Sequence, residues 1–190
     1  MKNILVTGGA GFIASHTNVV LLNGGYDVVA VDNFCNSDIS AVESVEKITG
    51  KKVKFYEGDV RDEKLMNKIF DENDIYAVIH FAGLKAVGES CAKPLLYYDN
   101  NMTSTFVLLK VMAAHGVKNF VFSSSATVYG TPEKLPLTED SPVGGVTNPY
   151  GATKFMLENV LKDVYKADNS SHIAMLRYIN PDGAHESGLI

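Results

Sequence analysis

The chain has no tryptophan and only two cysteines, Cys35 and Cys91. Two cysteines this far apart exclude a disulfide framework and a thiolate zinc site. Its five histidines, His16, His80, His115, His172 and His185, are scattered, with no pair at metal-ligand spacing, so no metal is expected. Basic residues do not exceed acidic ones; the net charge is −5, and no nucleic-acid footprint is expected. No apolar run approaches the length needed to cross a membrane. Met1-Lys2-Asn3 is followed by a short apolar run and then by glycines, which is not the apolar core of an export signal. These absences lead to the expectation of a cytoplasmic, reducing location. Internal repeats, low-complexity runs and linker-like segments are also missing. What remains is ordinary for a soluble globular protein: 190 residues, 46% apolar and 21% charged, enough for one domain with a sizeable core.

Short apolar runs alternate with helical spacing along the whole length. Strands are expected at Asn3–Thr7, Tyr26–Val31, Val53–Tyr56, Ala77–Phe81, Phe120–Phe122 and Ile173–Leu176. Helical spacing separates them: around Val19–Leu22, at Ala41–Ile48, at Asp62–Phe70, from Pro94 to Gly116 and from Tyr150 onward. The helix opened by Pro94 is expected to bury Tyr98, Met102, Phe106, Leu109, Met112 and Ala113. The helix after Tyr150 is expected to bury Leu157, Val160, Leu161 and Val164. Alternating units with mostly apolar strands predict an α/β fold, a doubly wound parallel sheet of six strands. In such sheets ligands sit beyond the carboxyl ends of the strands.

The first strand runs into Gly8-Gly9-Ala10-Gly11-Phe12-Ile13-Ala14-Ser15-His16 and then a helix that Gly24-Gly25 ends. Strand, glycine turn and helix in that order are the context in which a glycine motif carries chemistry. Gly8 and Gly11 let the backbone approach a pyrophosphate, and the helix N-terminus offers free N–H groups to it. Asp32 ends the second strand, 21 residues after Gly11. A carboxylate there accepts from the adenosine ribose hydroxyls and repels a 2′-phosphate, which favours NAD over NADP. Without the loop, Asp32 would read as a turn cap.

Tyr150 and Lys154 sit four residues apart, on one face of a helix. Alone, such a pair is usually a solvated surface pair. Beside a dinucleotide its meaning changes. An ammonium stabilises a phenolate and lowers its pKa, so Tyr150 could take a proton from a substrate hydroxyl. Ser125, at the end of the fifth strand, is placed to hydrogen-bond the same oxygen.

Three longer runs carry a family resemblance: His80-Phe81-Ala82-Gly83-Leu84-Lys85-Ala86-Val87-Gly88-Glu89-Ser90, Ser123-Ser124-Ser125-Ala126-Thr127-Val128-Tyr129-Gly130 and Asn148-Pro149-Tyr150-Gly151. The chain resembles the extended short-chain dehydrogenase/reductase family, and within it the UDP-glucose 4-epimerase branch, from Ile4 to about Gly188. The resemblance implies interconversion of UDP-galactose and UDP-glucose through a 4-keto intermediate, with NAD kept rather than consumed. It makes Tyr150 the catalytic base, Lys154 its partner and a ribose ligand, and Ser125 a ligand of the substrate hydroxyl. Phe12 and Ile13 would contact the pyrophosphate. Asp32, Asn33, Phe34, Cys35, Asn36 and Ser37 would line the adenosine ribose, and Asp59 and Val60 the adenine. Phe81, Ala82, Gly83, Leu84, Lys85 and Asn100 would hold the phosphates and the nicotinamide side, and Asn180 would touch the nucleotide sugar. His80 reads as a packed strand histidine, and Cys35 and Cys91 as chemically inert. A homodimer pairing the helices after Pro94 and after Tyr150 is also implied.

Nucleotide-sugar 4,6-dehydratases of the same superfamily carry an Asp-Glu pair just after the position of Ser125. Here Ala126 and Thr127 stand there, so elimination lacks its acid and base. The chain departs from the branch at Ala14, where glycine is usual, at Ile179, where phenylalanine is usual, and at Asp182 and Glu186. Chains of the branch are much longer. Residues 1–190 are therefore expected to form a single NAD-binding Rossmann-like domain, with the C-terminal substrate domain absent from this sequence. The alternatives are an NAD-binding domain with weak or no catalysis, or another nucleotide-sugar-modifying enzyme of the superfamily.

Overall fold

A computed structural model describes residues 2–190. Six strands, β1 (Asn3–Thr7), β2 (Asp27–Asp32), β3 (Lys54–Glu57), β4 (Ile75–His80), β5 (Asn119–Ser125) and β6 (His172–Tyr178), form one sheet in the order β3-β2-β1-β4-β5-β6. Every pairing is parallel. The helices are α1 (Phe12–Asn23), α2 (Ser40–Thr49), α3 (Glu63–Glu72), α4 (Val87–Ala92), α5 (Pro94–Ala114) and α6 (Pro149–Ala167). The doubly wound sheet expected from the alternation is the one observed, with the ends of β1 as expected and those of the other strands shifted by one to three residues. The six-residue α4 was not foreseen, because one and a half turns hold too few apolar positions to show a period.

Two apolar layers sandwich the sheet. Val6, Ala14, Val19, Leu22, Val28 and Ala30 pack with α1 and α2 on one face. Leu5, Val78, Leu108, Phe120, Phe122, Leu157 and Leu161 pack with α3, α5 and α6 on the other. Covering both faces explains why β1 and β2 are apolar almost throughout, and each fully buried side chain of this kind contributes roughly 1.5–3 kcal/mol. The helix starts are locally encoded. Asp62 caps α3 by accepting from the N–H groups of Lys64 and Leu65 at 3.0 and 3.1 Å. Asn148 caps α6 by accepting from Gly151 N at 2.8 Å, with Pro149 in the first turn.

On α6 the expected face holds: Leu157 and Leu161 are buried, and Val160 and Val164 are half-buried. On α5 it holds only in part, with Met112 buried as expected. The buried residues are Tyr97, Asn101, Ser104, Thr105, Val107, Leu108, Val111 and Met112, whereas Phe106 and Ala113 are exposed. Tyr98, Met102 and Leu109 are only half-buried. This helix has two candidate stripes. The sheet side takes the more polar one because partners for Asn101 and Thr105 lie there.

Candidate active site

The sheet order reverses between β1, which leads left to β2 and β3, and β4, which leads right to β5 and β6. The glycine loop sits at that switch point. Gly8 has φ +66°, and a Cβ on it would lie 2.8 Å from Ala82 N. A Cβ on Gly9 would lie 2.6 Å from that of Ala30. These glycines thus let the loop settle between the exits of β4 and β2. No side chain caps α1 at Gly11, and its first turn contains no acidic residue. The orphan N–H groups of Phe12 and Ile13 are left for an external acceptor. Ala14 is 1% exposed and packed into the core, so its methyl is accommodated.

Asp32 is 8% exposed and joins two loops. Its Oδ2 accepts from Ala10 N at 3.0 Å; its Oδ1 accepts from Phe34 N at 2.9 Å and Ser37 Oγ at 2.8 Å. A carboxylate has about four acceptor positions, so Oδ2 keeps one for a ribose hydroxyl. Phe34 adopts the left-handed φ of 55° and stacks on Phe55 at 5.2 Å. Such backbone strain in a bulky residue is typical of ligand-lining loops. Asn33, Cys35 and Asn36 complete this loop and are exposed. Partial desolvation by the surrounding loop, and then the charges of Asp32 and Asp59, push the Cys35 thiol up, away from thiolate reactivity. Asp59 is clamped by Arg61, which donates Nε to Oδ1 at 3.0 Å and Nη2 to Oδ2 at 2.8 Å, and this holds its carboxyl below the usual range. Asn33 Nδ2 donates to the same Oδ2 at 3.3 Å. Val60 points its side chain into the core rather than to the surface.

Across the switch point, Phe81, Ala82, Gly83, Leu84 and Lys85 leave β4 as a loop, with Lys85 exposed. A residue not anticipated from sequence, Asn101, fixes this loop. Its Oδ1 accepts from Leu84 N at 2.8 Å and its Nδ2 donates to Leu84 O at 3.0 Å and to Thr153 Oγ1 at 3.2 Å. The expected Asn100 is half-buried and donates to Asn101 Oδ1 at 3.1 Å. His80 is 1% exposed and bonded at both ends, Nδ1 to Thr7 Oγ1 at 2.6 Å and Nε2 to Thr105 Oγ1 at 3.0 Å. Thr105 donates to Asn101 O, so the network assigns the Nε2–H tautomer. Burial pushes its pKa down to about 3, and His80 is a neutral packing residue as expected.

Tyr150, Lys154 and Ser125 converge beside this loop. Ser125 ends β5 at 7% exposure, and Lys154, at 6%, lies one turn behind Tyr150 on α6. The Lys154 ammonium donates to Ser123 O at 2.6 Å, lies 4.8 Å from the Phe122 ring and 6.0 Å from the Tyr150 ring. Burial lowers its pKa to about 8. The expectation that Lys154 depresses the Tyr150 phenol is not met. Burial raises Tyr150, and the opposing pull is a hydrogen bond from Ser125. The amine is drawn to the Ser123 carbonyl and loses part of its own charge to burial. Tyr178 pairs in register with Ser125 and lies 6.4 Å from the Phe81 ring; nothing in the sequence marked it. Asn180 and Ile179 follow β6 and are exposed, Ile179 at 73%.

Behind this trio, Glu158 is fully buried and paired with Arg177 through two contacts, at 2.9 and 2.8 Å. Ser124 Oγ donates to Glu158 at 2.6 Å, and Arg177 reaches Tyr129 OH at 2.9 Å. This cluster ties α6 to β5, β6 and the 3-10 turn Ala126–Tyr129. Among the described residues there is no group of three or more His, Cys, Asp or Glu arranged for a metal, and no helix is long and apolar enough to cross a membrane.

The sequence and the fold are similar to those of known proteins. UDP-glucose 4-epimerase from Pasteurella multocida is 63% identical over 98% of this chain, and that from Bacillus subtilis is 60% identical over the same share. This chain spans 55% of the length of each of them. The solved structure of Bifidobacterium longum UDP-glucose 4-epimerase in complex with NAD+ and UDP matches all of this chain and 56% of that one, with TM-score 0.98 and 65% identity. That from Stenotrophomonas maltophila, with bound NAD and formylated UDP-arabinopyranose, matches with TM-score 0.96 and 47% identity. A family-wide description reaches from one end of the chain almost to the other: residues 5–189 match GDP-mannose 4,6 dehydratase, and the chain belongs to that family.

Proposed function

We propose that this chain carries the NAD-binding and acid–base machinery of a UDP-glucose 4-epimerase, interconverting UDP-galactose and UDP-glucose through a 4-keto sugar. The observation that carries the reading is the convergence of Ser125, Tyr150 and Lys154 at the carboxyl end of β5, beside a switch point whose glycine loop and Asp32 fit a dinucleotide. Relatives 60–63% identical that are UDP-glucose 4-epimerases support it, as does the likeness to a structure holding NAD+ and UDP. The uncapped α1 terminus suits the pyrophosphate, the free position on Asp32 Oδ2 the ribose, and the loop braced by Asn101 the nicotinamide side. When bound, NAD supplies the acceptor and donor of the hydride at the sugar C4.

The residues of the chain handle the proton. Tyr150 takes it from the 4-hydroxyl and later returns it. Ser125 donates a hydrogen bond to the same oxygen, and Lys154, anchored on Ser123 O, supplies positive charge behind the phenol. Water elimination is disfavoured despite the family's description, since Ala126 and Thr127 offer no acid or base, and the Thr127 hydroxyl is engaged with Ser125. The exposed side chains of α5 and α6 include the apolar Leu95 (81%), Leu96, Phe106 and Met156, which supports a homodimer through these helices.

The test measures bound NAD and UDP-galactose to UDP-glucose conversion on the same purified protein. Tyr150→Phe should lower turnover by about 10²–10⁴-fold and leave NAD binding intact. Near-normal turnover would remove Tyr150 from the role of base. NAD binding by the unsubstituted chain without any conversion would favour the second reading, an NAD-binding domain with little catalysis of its own.

A further inference from the structure

The Ser125 hydroxyl has one proton to give and two lone pairs to fill. One residue fills both. Thr127 N donates to Ser125 Oγ at 3.2 Å and Thr127 Oγ1 donates to it at 3.1 Å. The proton is then the one bonding capacity Ser125 has left, and Tyr150, whose phenol Ser125 pulls downward against burial, is the titratable group beside it. Thr127 is held from its other side as well. A Cβ on Gly151 would meet Thr127 Cβ and Oγ1 at 3.3 Å, so the glycine after Tyr150 lets the first turn of α6 close directly onto Thr127.

From this we infer that Thr127 is a positioning residue: by occupying both lone pairs of Ser125 it commits that hydroxyl's single proton to donation, toward the Tyr150 oxygen or, with a sugar bound, toward the sugar's reacting oxygen. The step rests on the proposed function for its catalytic meaning but not for its geometry. If Ser125 could accept, Tyr150 would donate to it and hold its proton more tightly, which is the wrong polarity for a base. As a committed donor, Ser125 stabilises both a phenolate and an oxygen gaining negative charge. This also gives Thr127 a role at a position where the dehydratase pattern puts an acid.

The experiment follows ionisation of Tyr150 by ultraviolet difference spectroscopy, with Tyr150→Phe as the blank. It requires neither NAD nor a sugar, so its failure is distinct from failure of the epimerase reading. The other groups near the phenol are Lys154 on α6 and Tyr97 on α5, and the substitutions leave both in place. Thr127→Val removes the hydroxyl donor at nearly constant volume. It should raise the pH at which Tyr150 ionises by about one unit. Ser125→Ala should do the same, the double variant no more than Ser125→Ala, and Thr127→Ser should restore the original value. If Thr127→Val does not fold, Thr127→Ala carries the same expectation. An unchanged Tyr150 titration in the variant lacking the hydroxyl would overturn the inference, as would an equal additional rise in the Ser125→Ala background.

Discussion

At the scale of single residues, the site is governed by what burial does to charge. Lys154 would bear a full charge in water, but the core side of α6 brings its pKa from the ordinary 10.5 to about 8. The sign of the consequence is fixed by linkage. Between about pH 8 and 10.5 the unfolded chain holds a proton that the folded chain has shed, so stability should rise with pH as the burial cost of the charge is relieved. Above 10 the trend is opposed, because burial raises the Tyr150 and Tyr178 phenols and the folded state keeps protons the unfolded state loses. The urea midpoint should therefore climb from pH 7.5 to 9.5, and the climb should be missing in Lys154→Met. Identical flat profiles for the two proteins would refute the assignment. The spacing of Tyr150 and Lys154 was readable from the sequence, but the sense of the Tyr150 shift was not. It depends on Ser123 O and the depth of burial, which only the packed sheet defines.

At the scale of elements, α6 is the part that several others must agree on. Glu158 lies one turn beyond Lys154 and is bonded to Arg177 of β6 and Ser124 of β5. Burial alone would raise its pKa, but the hydrogen bonds from Arg177 and Ser124 outweigh that and hold it below the ordinary value. Its stabilising contribution is therefore present above the unfolded carboxyl pKa and lost as pH falls through the lower folded one. Removing one partner strands the other charge, so Glu158→Ala should cost about 3–5 kcal/mol at neutral pH in denaturant unfolding. A loss under about 1 kcal/mol, the range of exposed pairs, would contradict the picture. From sequence, Glu158 and Arg177 look like surface charges on a helix and a strand end. Their pairing is long-range and leaves no local spacing to detect. The misjudged face of α5 has a related cause: Asn101 and Thr105 face the sheet because Leu84, Thr153 and His80 bond them there, and a periodicity argument cannot weigh such partners.

At the scale of the whole molecule, the order β3-β2-β1-β4-β5-β6 opens one crevice, and the groups with chemistry to offer line it from both sides. This was the most legible layer. The central strands β1 and β2, covered on both faces, are apolar almost throughout, the turn after β1 needs glycine at a positive φ, and the acidic end of β2 follows at the right distance. The surroundings of Ser125 and Tyr150 were less legible. Tyr178 and Thr127 are brought there by register and by closure of α6 on the 3-10 turn, neither of which has a sequence signature.

The central claim, that the β1–β4 crevice is a site for NAD defined by Asp32, is tested most directly by calorimetric titration of the purified chain with NAD and with NADP. The account predicts saturable one-to-one binding of NAD, with NADP weaker by about ten-fold or more, or about 1.4 kcal/mol. A folded chain that binds neither dinucleotide, or binds NADP as tightly as NAD, would contradict it.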